Sequence, residues 1–289
     1  MTIRLAYKQL VAQLYEVYDE REAANIADMV IEHVTGQRKI ERILYKDLPV
    51  SAEQQEQLKI LTEQLLQHKP IQYVLGEVWF AGMKLFVNEN VLIPRPETEE
   101  LVEWIVDEVQ NGKLKIETGF SIVDIGTGSG CIPIALKKKL TNAEVYAIDV
   151  SAGALEVAKR NASEQKLEIE FIQLDFLDED EWKTLPAFDV IVSNPPYIKK
   201  SEEQTMAKNV LEYEPHLALF VPDEDALKFY KAIAAFVKTH LKPNGKIFVE
   251  INEALAQQVT DLFKQSGFLQ VTLKKDMQGK DRMIQASVY

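Results

Sequence analysis

Residues 121–131 decide the fold, and they read SIVDIGTGSGC. A short apolar run, Ile122–Ile125, is followed by a glycine loop and then by a helical pattern that begins at Cys131. A loop of this kind between a strand and a helix is where an open α/β sheet binds ligands. The glycine spacing is G-x-G-x-G, and Cys131 stands where a dinucleotide-binding fingerprint requires glycine. The loop therefore favours a ligand other than NAD.

Outward from this loop, the chain alternates between apolar strands and amphipathic helices. Strands are predicted at Ile122–Ile125, Glu144–Ile148, Ile169–Leu174, Val190–Ser193, Lys246–Ile251, Phe268–Lys274 and Arg282–Val288. Helices are predicted from Cys131, from Ser151 to about Ser163, over Ala226–Leu241 and over Glu253–Gln265. Such alternation predicts an α/β domain, a mostly parallel sheet covered on both faces. The last two strands have no long helix between them, so we expect one strand to run antiparallel.

The segment before residue 95 has a different pattern. Residues 1–70 predict four or five short helices, because apolar residues recur at helical spacing, Gly36 offers a C-terminal cap, and Ser51 with Gln54 forms a capping box. Residues 71–94 predict a hairpin connector that turns near Ala81–Gly82. Its apolar positions are Tyr73, Val74, Val78, Trp79 and Phe80, then Met83, Leu85, Phe86 and Val87. We expect a small helical domain over 1–70 and a larger α/β domain over 95–289.

Composition narrows the class of partner. The 289 residues carry 33 basic and 45 acidic side chains, a net charge of −12. A groove that grips nucleic-acid phosphates usually has a basic excess, so this balance opposes general nucleic-acid binding and suits a basic protein partner. The single cysteine and the lack of a signal peptide or spanning apolar run predict a cytoplasmic protein without membrane attachment.

Three acids follow consecutive predicted strands or end them. Asp124 precedes the glycine loop and can hold the ammonium of a methionine moiety, while Asp149 can accept hydrogen bonds from both ribose hydroxyls. Asp175 can accept the amino group of adenine, and Phe176 can pack on the ring. Taken singly, each would more often be a turn or helix-cap residue. Their combination with this loop favours a ligand site.

Residues 194–197 carry the second chemical signal, Asn194-Pro195-Pro196-Tyr197, at the end of an apolar strand. Two prolines make the segment stiff, and positioning is a main source of acceleration in group-transfer reactions. The Asn194 side-chain oxygen and the Pro195 carbonyl can each accept one N–H from a planar NH₂ group, and Tyr197 can stack on it. A proline-rich turn stabilised by an Asx-turn is the structural alternative.

Together these motifs resemble class I methyltransferases that act on planar nitrogen, a group that includes adenine-N6 DNA methyltransferases and glutamine-N5 protein methyltransferases. The segment PRPETE at 94–99 and the helical N-terminus are similar to those of peptide chain release factor glutamine methyltransferases. That resemblance implies a Rossmann-like, seven-stranded methyltransferase sheet with one antiparallel strand. It also implies S-adenosylmethionine as methyl donor, the glutamine of the Gly-Gly-Gln loop of release factors as substrate, and an N-terminal domain that docks the release factor.

The resemblance also implies which residues form the site. Contacts to S-adenosylmethionine would come from Gly126, Thr127, Gly128, Ser129, Gly130, Asp149, Phe176 and Asn194. Asp124 and Asp175 join this set on the chemistry given above, not on the resemblance. The glutamine would be held by Asn194, Pro195, Pro196 and Tyr197, with Asn194, Pro195 and Tyr197 as catalytic residues. Arg95 and Glu97 would lie near the substrate. The structural alternative is that Arg95 forms an ion pair that stabilises the fold and that Glu97 is an acid in the first turn of a helix.

Three alternatives remain at this point. The chain could methylate a glutamine of a ribosomal protein, or the N6 of adenine in DNA, or it could bind a cofactor without catalysis. The four histidines show no metal-ligand spacing, so no metal is expected. The polar connection at 199–213 is either a substrate-facing loop or a solvated one.

Overall fold

The computed structural model describes residues 1–112, 114 and 119–288. The described chain forms two units. The first, here called the helical unit, comprises Met1–Glu77 and Ala207–Tyr213, and the second, the sheet unit, comprises Val78–Met206 and Glu214–Tyr289. No helix in the described ranges is both long enough and apolar enough to cross a bilayer.

The helical unit is built from short amphipathic helices. They are α1 (Ile3–Leu14), α2 (Glu20–Thr35), α3 (Lys39–Leu44), α4 (Ala52–Leu66), α5 (Ile71–Leu75) and α9 (Lys208–Tyr213). Leu14 of α1, Val30 and Ile31 of α2 and Leu65 of α4 are fully buried and share one apolar core. The unit is therefore held together by the helical repeat of its apolar residues.

The predicted helix ends of this unit are confirmed. Gly36 ends α2 in the left-handed conformation, with φ of 68°. Ser51 caps α4, and its hydroxyl and the Gln54 side chain bond reciprocally to each other's backbone N–H groups. Both devices satisfy helix-end groups that would otherwise lack partners.

The connector at 71–94 differs from the prediction in its first part. Tyr73 and Val74 lie in α5, between Pro70 and the left-handed Gly76, and not in a strand. Five residues bounded by proline and glycine fit a helical turn as well as a strand, and burial against the helical core decides the outcome here. The hairpin itself is confirmed. It pairs β1 (Glu77–Phe80) with β2 (Met83–Phe86) and turns at Ala81 and Gly82, which have φ of 47° and 73°.

In the described residues, seven strands form one sheet in the order β10-β11-β9-β6-β3-β4-β5. Their bounds are β3 Ser121–Ile125, β4 Glu144–Asp149, β5 Glu170–Gln173, β6 Phe188–Ser193, β9 Leu241–Glu250, β10 Gln270–Lys275 and β11 Asp281–Ser287. β11 is antiparallel to both of its neighbours, and the other described pairs in the sheet are parallel. The predicted Rossmann-like sheet is thus confirmed. A separate parallel pair joins β7 (Ile198–Lys199) to β8 (Phe220–Val221).

Helices cover both faces of the sheet, because alternate strand residues point to opposite sides. The covering helices are α6 Pro96–Gln110, α7 Cys131–Lys139, α8 Ala152–Glu164, α11 Lys228–His240 and α12 Ala256–Gln265. The sheet unit also contains the short helix α10, His216–Leu219. Val123 and Ile191 pack in one core with α11 and α12, whereas Ile122 and Val190 pack in the other with α6 and α7.

Two predicted boundaries are wrong by several residues. β9 begins at Leu241, not Lys246, because Leu241 already pairs with Phe188 of β6. Residues 242–245 then form a bulge before Lys246 pairs with Val190, and Asn244 in that bulge has φ of 64°. The helix predicted over Glu253–Gln265 begins as a 3₁₀ turn at Glu253–Leu255 before α12.

The sheet register brings four polar or glycine positions to one edge. Ser193 of β6 pairs with Ile125 of β3 and with Val249 of β9, and Ile125 pairs with Ile148 of β4. One residue further along these parallel strands lie, in order across the sheet, Glu250 on β9, Asn194 after β6, Gly126 after β3 and Asp149 on β4. Because neighbouring strands lie about 4.8 Å apart, the fold places the glycine loop and Asn194 side by side.

Candidate active site

The glycine loop leaves β3 in a tight turn with an open face. The Gly126 and Thr127 N–H groups both donate to the Ile148 carbonyl at 2.9 Å. Gly126 and Gly128 have φ of 75° and 52°, and a Cβ added at either would meet no heavy atom within 4 Å. A ligand can therefore approach the backbone at these two positions, as predicted for a nucleoside-binding loop.

Gly130 serves a different purpose from the other two loop glycines. A Cβ added there would lie 3.0 Å from Ala158 Cβ and 3.1 Å from Ile134 Cδ1, and φ is 78°. Gly130 is also the N-terminal cap of α7. Its lack of a side chain thus allows α7 to pack against α8, so the structure supports a packing role for it.

Asp124 is fully buried beneath the loop. Neither of its carboxylate oxygens, nor Thr127 Oγ1, has a hydrogen-bond partner among the described residues. Burial raises the pKa of Asp124 to about 7, and the charge of Asp149 contributes to the rise. The nearby Thr127 hydroxyl lowers the pKa in part, although its geometry falls short of a hydrogen bond. Buried polar atoms without partners are costly, so this carboxylate is suited to an incoming donor.

Asp149 organises the loop from the end of β4. Its Oδ2 accepts the Gly128 N–H at 2.8 Å, and its Oδ1 accepts the Ser151 N–H at 2.9 Å. Burial raises the pKa of this carboxyl, while hydrogen bonds from Ser151 and Gly128 oppose the rise. Each oxygen keeps a lone pair, so Asp149 can shape the loop and also accept hydroxyl groups from a ligand.

Asn161, on α8, fastens the loop to the hairpin, and sequence reasoning missed it. The buried Nδ2 donates to the Ser129 carbonyl and to the Phe86 carbonyl, both at 2.9 Å, and Oδ1 accepts the Phe86 N–H at 2.7 Å. Ser129 is itself buried. An asparagine on the apolar face of a helix was the available signal, since buried amides require partners.

Asp175 and Phe176 lie after β5, and the structure separates their side chains. Asp175 is exposed, and its Oδ1 accepts the Leu177 N–H at 2.9 Å, as in an Asx-turn. The Phe176 ring is buried, stacks on Trp182 at 5.3 Å and meets Phe236 edge-on at 5.2 Å. The structure gives Phe176 a core role, and little of its ring is exposed to contact a ligand. Their contacts to adenine stay predictions.

The Asn194–Tyr197 turn follows β6 directly, next to the glycine loop of β3. Asn194 Nδ2 donates to Thr98 Oγ1 at 3.2 Å, and the Tyr197 hydroxyl donates to Glu250 Oε1 at 3.1 Å. Pro195 is buried, while Asn194, Pro196 and Tyr197 are half-buried. The turn is therefore anchored at both ends, which agrees with the stiffness expected of two prolines.

Glu250 lies at the centre of this anchoring, and sequence reasoning gave it no role. Its side chain is buried; Oε2 accepts the Thr98 hydroxyl at 2.7 Å, and Oε1 accepts that of Tyr197. Burial raises the pKa of this carboxyl, whereas both hydroxyl hydrogen bonds and the charge of Arg282 lower it. Burial likewise raises the pKa of Tyr197. A lone glutamate at the end of an apolar strand was the available signal, because carboxylates are rarely buried without partners.

Arg95 and Glu97 flank the start of α6. Arg95 Nη2 donates to Glu214 Oε1 at 2.6 Å, and the other oxygen of this buried glutamate accepts the Ile93 N–H at 3.1 Å. Glu97 accepts a hydrogen bond from Gln278 Nε2 at 3.2 Å. The structure therefore shows the ion pair that was the structural alternative for Arg95, while contacts of either residue to substrate stay predictions.

The edge of the sheet unit thus combines an open glycine turn, a buried carboxylate without a partner among the described residues, and an anchored turn that contains an amide side chain and two prolines. The first two suit a ligand that carries a cation and hydroxyl groups. The third suits a planar NH₂ group, because both of its hydrogens need acceptors. Such a site can hold two reactants side by side, which is the requirement for group transfer.

Comparisons with known proteins agree with this chemistry. The methyltransferase small domain model matches residues 109–217, and the PrmC N-terminal domain model matches residues 6–76. The release factor glutamine methyltransferase of Flavobacterium psychrophilum is 44% identical over 287 residues, 99% of each chain. That of Bacteroides thetaiotaomicron is 38% identical over 274 residues, 95% of this chain and 96% of the relative.

Among solved structures, the N-terminal domain of human METTL16 in complex with SAH shares the fold. The match has a TM-score of 0.52 at 16% identity, and it covers 97% of this chain and 94% of the other. Identity this low supports the fold, and the full-length relatives support the family. The chain belongs to the release factor glutamine methyltransferase family.

Proposed function

We propose that this chain transfers a methyl group from S-adenosylmethionine to the side-chain amide nitrogen, N5, of the glutamine in the Gly-Gly-Gln loop of a peptide chain release factor. The observation that carries the proposal is the position of Asn194, which follows β6 one strand away from the glycine loop. The names of the full-length relatives supply the substrate.

The residues at the end of β3 and β4 fit S-adenosylmethionine. Asp124, buried and without a partner, would face the ammonium of the methionine moiety, directly or through water. Asp149 would accept the ribose hydroxyls, and Gly126 and Gly128 leave open space for the ligand. When bound, S-adenosylmethionine supplies a methyl group on a positively charged sulfonium sulfur. Asp175 and Phe176 remain proposed contacts to adenine, with the adjustment that the Phe176 ring is packed in the core.

Asn194 and Pro195 would solve the chemical problem of a weak nucleophile. An amide nitrogen donates its lone pair into the carbonyl, so it must be oriented and polarised. Asn194 Oδ1 and the Pro195 carbonyl would each accept one N–H, and Tyr197 and Pro196 would pack against the flat amide. The two negative dipoles would offset the positive charge that grows on nitrogen as the N–C bond forms and the methyl–sulfur bond breaks, with the electron pair of the broken bond left on sulfur. The nitrogen then loses one proton to solvent.

A release factor is also the proposed partner of the rest of the chain. Residues 1–70 would dock it, 71–94 would connect, and 95–289 would catalyse. The net charge of −12 would favour encounter with a basic protein surface over nucleic acid. A release factor substrate would place the reaction in the cytoplasm.

Incubation with methyl-labelled S-adenosylmethionine tests the substrate. The protein is mixed separately with a release factor, with the same factor carrying Gln→Ala in its loop, with ribosomal protein and with DNA. We expect label on the intact release factor and none on the alanine form. Label confined to ribosomal protein or to DNA would replace the proposed substrate, and label on none of them would indicate a binding module without this activity.

Asn194→Ala tests the role of the turn. We expect transfer to fall by at least about 100-fold, as for removal of one group that stabilises charge in a transition state, with S-adenosylmethionine binding changed much less. Gln173→Ala, at the exposed end of β5, is a control for general damage to the sheet edge. Wild-type turnover in Asn194→Ala would remove the basis of the proposed chemistry.

A further inference from the structure

Three residues that lie on different elements form a hydrogen-bonded chain behind the proposed glutamine site. Glu250 ends β9, Thr98 lies in the first turn of α6, and Asn194 follows β6. Glu250 Oε2 lies 2.7 Å from Thr98 Oγ1, which lies 3.2 Å from Asn194 Nδ2. Glu250 and Thr98 are both buried, so the bond between them is shielded from bulk water.

We propose that Glu250 and Thr98 are positioning residues that fix which end of the Asn194 side-chain amide faces the substrate. They hold Nδ2 inward and so turn Oδ1, the acceptor, toward the NH₂ group that is to be methylated. The inference rests on the proposed function, because it concerns the same glutamine site.

The direction of the bonds follows from counting protons. A threonine hydroxyl has one hydrogen, and an ionised carboxylate can only accept. The Thr98 hydrogen therefore goes to Glu250, which leaves the Thr98 oxygen as an acceptor. The Asn194 Nδ2 can donate to it, whereas a reversed amide would bring Oδ1 against an oxygen that has no hydrogen left to give. Glu250 thus selects one of the two amide orientations through Thr98.

Neighbouring groups favour this proton arrangement. The other oxygen of Glu250 accepts the Tyr197 hydroxyl at 3.1 Å, so both carboxylate oxygens receive donors. The backbone carbonyl of Glu250 accepts the hydroxyl of Tyr230 at 3.0 Å, which fixes the end of β9. Burial raises the pKa of the Glu250 carboxyl, and the hydrogen bonds from Thr98 and Tyr197 and the charge of Arg282 oppose that rise. One carboxylate therefore orients both ends of the Asn194–Tyr197 turn.

The orientation has a consequence for substrate choice. With Oδ1 outward, the site offers an acceptor and suits an amide NH₂, which can donate. With Nδ2 outward, the site would offer a donor and would suit a carboxylate. Loss of the Thr98 hydroxyl should therefore shift preference from a glutamine loop toward a glutamate loop, and a general loosening of the fold would not produce that shift.

Thr98→Val, which keeps the shape of the side chain and removes the hydroxyl, is the first test variant. Wild type and variant are assayed on a release factor with its natural Gly-Gly-Gln loop, and a Gln→Glu loop variant serves as competitive inhibitor. We expect kcat to fall about 10- to 100-fold, since an amide N–H that has lost its partner disfavours the productive orientation by that factor. S-adenosylmethionine affinity should change little, and the Glu-loop protein should compete at least about 10-fold better relative to the Gln-loop protein.

Four further variants separate positioning from structure. Thr98→Ser restores the hydroxyl and should recover most of the lost kcat. Glu250→Gln keeps the shape and should lower kcat, and the double variant Thr98→Val with Glu250→Gln should be no worse than the poorer single variant, because both act through one amide. Thr239→Val, in the last turn of α11, is the matched control and should retain wild-type kcat.

The outcomes separate this inference from the proposed function. No methylation of the release factor by wild type would refute the proposed function. Methylation by wild type together with unchanged kcat and unchanged Gln-over-Glu preference in both Thr98→Val and Glu250→Gln would overturn the inference alone. Additive losses in the double variant would also overturn it. If Thr98→Val does not fold, the same comparison on Glu250→Gln decides.

Discussion

Asp124→Asn should stabilise the ligand-free protein at alkaline pH while weakening its binding to S-adenosylmethionine. The carboxylate is fully buried, and neither oxygen has a partner among the described residues. Asparagine has nearly the same shape but carries no charge. The substitution therefore removes the cost of an ionised group in the apolar interior without opening a cavity.

The size and sign of the effect follow from the pKa. Burial raises the pKa of Asp124 from its ordinary 3.8 to about 7, so the folded state binds more protons than the unfolded state between these values. Stability contributed by this group therefore falls as pH rises through that window. Each pH unit corresponds to about 1.4 kcal/mol, so the full penalty reaches about 4 kcal/mol above pH 7 and only about 1.5 kcal/mol at pH 5.

Urea unfolding of wild type and Asp124→Asn at pH 5 and pH 8, without ligand, measures the difference. The cost of burying the amide itself is the same at both pH values. The variant's advantage should consequently grow by about 2.5 kcal/mol from pH 5 to pH 8. Asp180→Asn, at a side chain that is 84% exposed, should show no such growth. If the stability advantage of Asp124→Asn over wild type grows by less than about 0.5 kcal/mol between pH 5 and pH 8, the burial cost assigned to Asp124 is refuted.

The same titration should appear in ligand binding. S-adenosylmethionine should bind wild type about tenfold more tightly at pH 7 than at pH 5.5, because Asp124 becomes ionised over that range, whereas the α-ammonium of the ligand stays protonated. Calorimetric titrations should show no comparable rise in Asp124→Asn. Equal pH dependence in both proteins would mean that Asp124 does not face the ammonium.

Two further substitutions test contacts that support the site. Arg95→Met should lower the free energy of unfolding by about 2 kcal/mol, because it leaves the buried Glu214 carboxylate without its cation. The double variant Arg95→Met with Glu214→Gln should recover more than half of that loss. Equal stability of the single and double variants would contradict this explanation. Gly130→Ala should lower the free energy of unfolding, measured in urea, by at least about 1 kcal/mol more than Gly267→Ala does. Both glycines have positive φ, but only at Gly130 would the added methyl group contact Ala158. Equal losses in the two variants would show that the structure relieves this contact.

The sequence predicted those parts of the fold where local pattern and burial agree. Apolar runs bounded by glycine, acids or proline gave the seven strands, and a short link between the last two gave the antiparallel β11. Errors occurred where a short segment fits two conformations. Tyr73 and Val74 lie in a helix because the core of the helical unit buries their segment. β9 begins earlier than predicted because Leu241 pairs with Phe188 ahead of the bulge at residues 242–245.

In the candidate site, too, some positions could be predicted from the sequence and others could not. The motif positions at the carboxyl edge of the sheet, Gly126, Asp149 and Asn194, are brought together by register, which follows from strand order. Glu250 was not given a role because its importance depends on Thr98 and Tyr197, more than 50 residues away in the chain in each case. Phe176 was given an exposed role because a phenylalanine after a strand has the same pattern whether it faces a ligand or the core.

Because Ala207–Tyr213 belong to the helical unit, the two units cannot be separated by a single truncation of the chain. The chain leaves the sheet unit at Met206 and returns to it at Glu214, and the Tyr213 hydroxyl donates to the Gln67 carbonyl at 2.7 Å. A fragment that starts at residue 78 would carry α9 without the helices against which it folds. Independent production of the two units therefore requires replacement of 207–213 by a short polar linker, as well as removal of the first 77 residues.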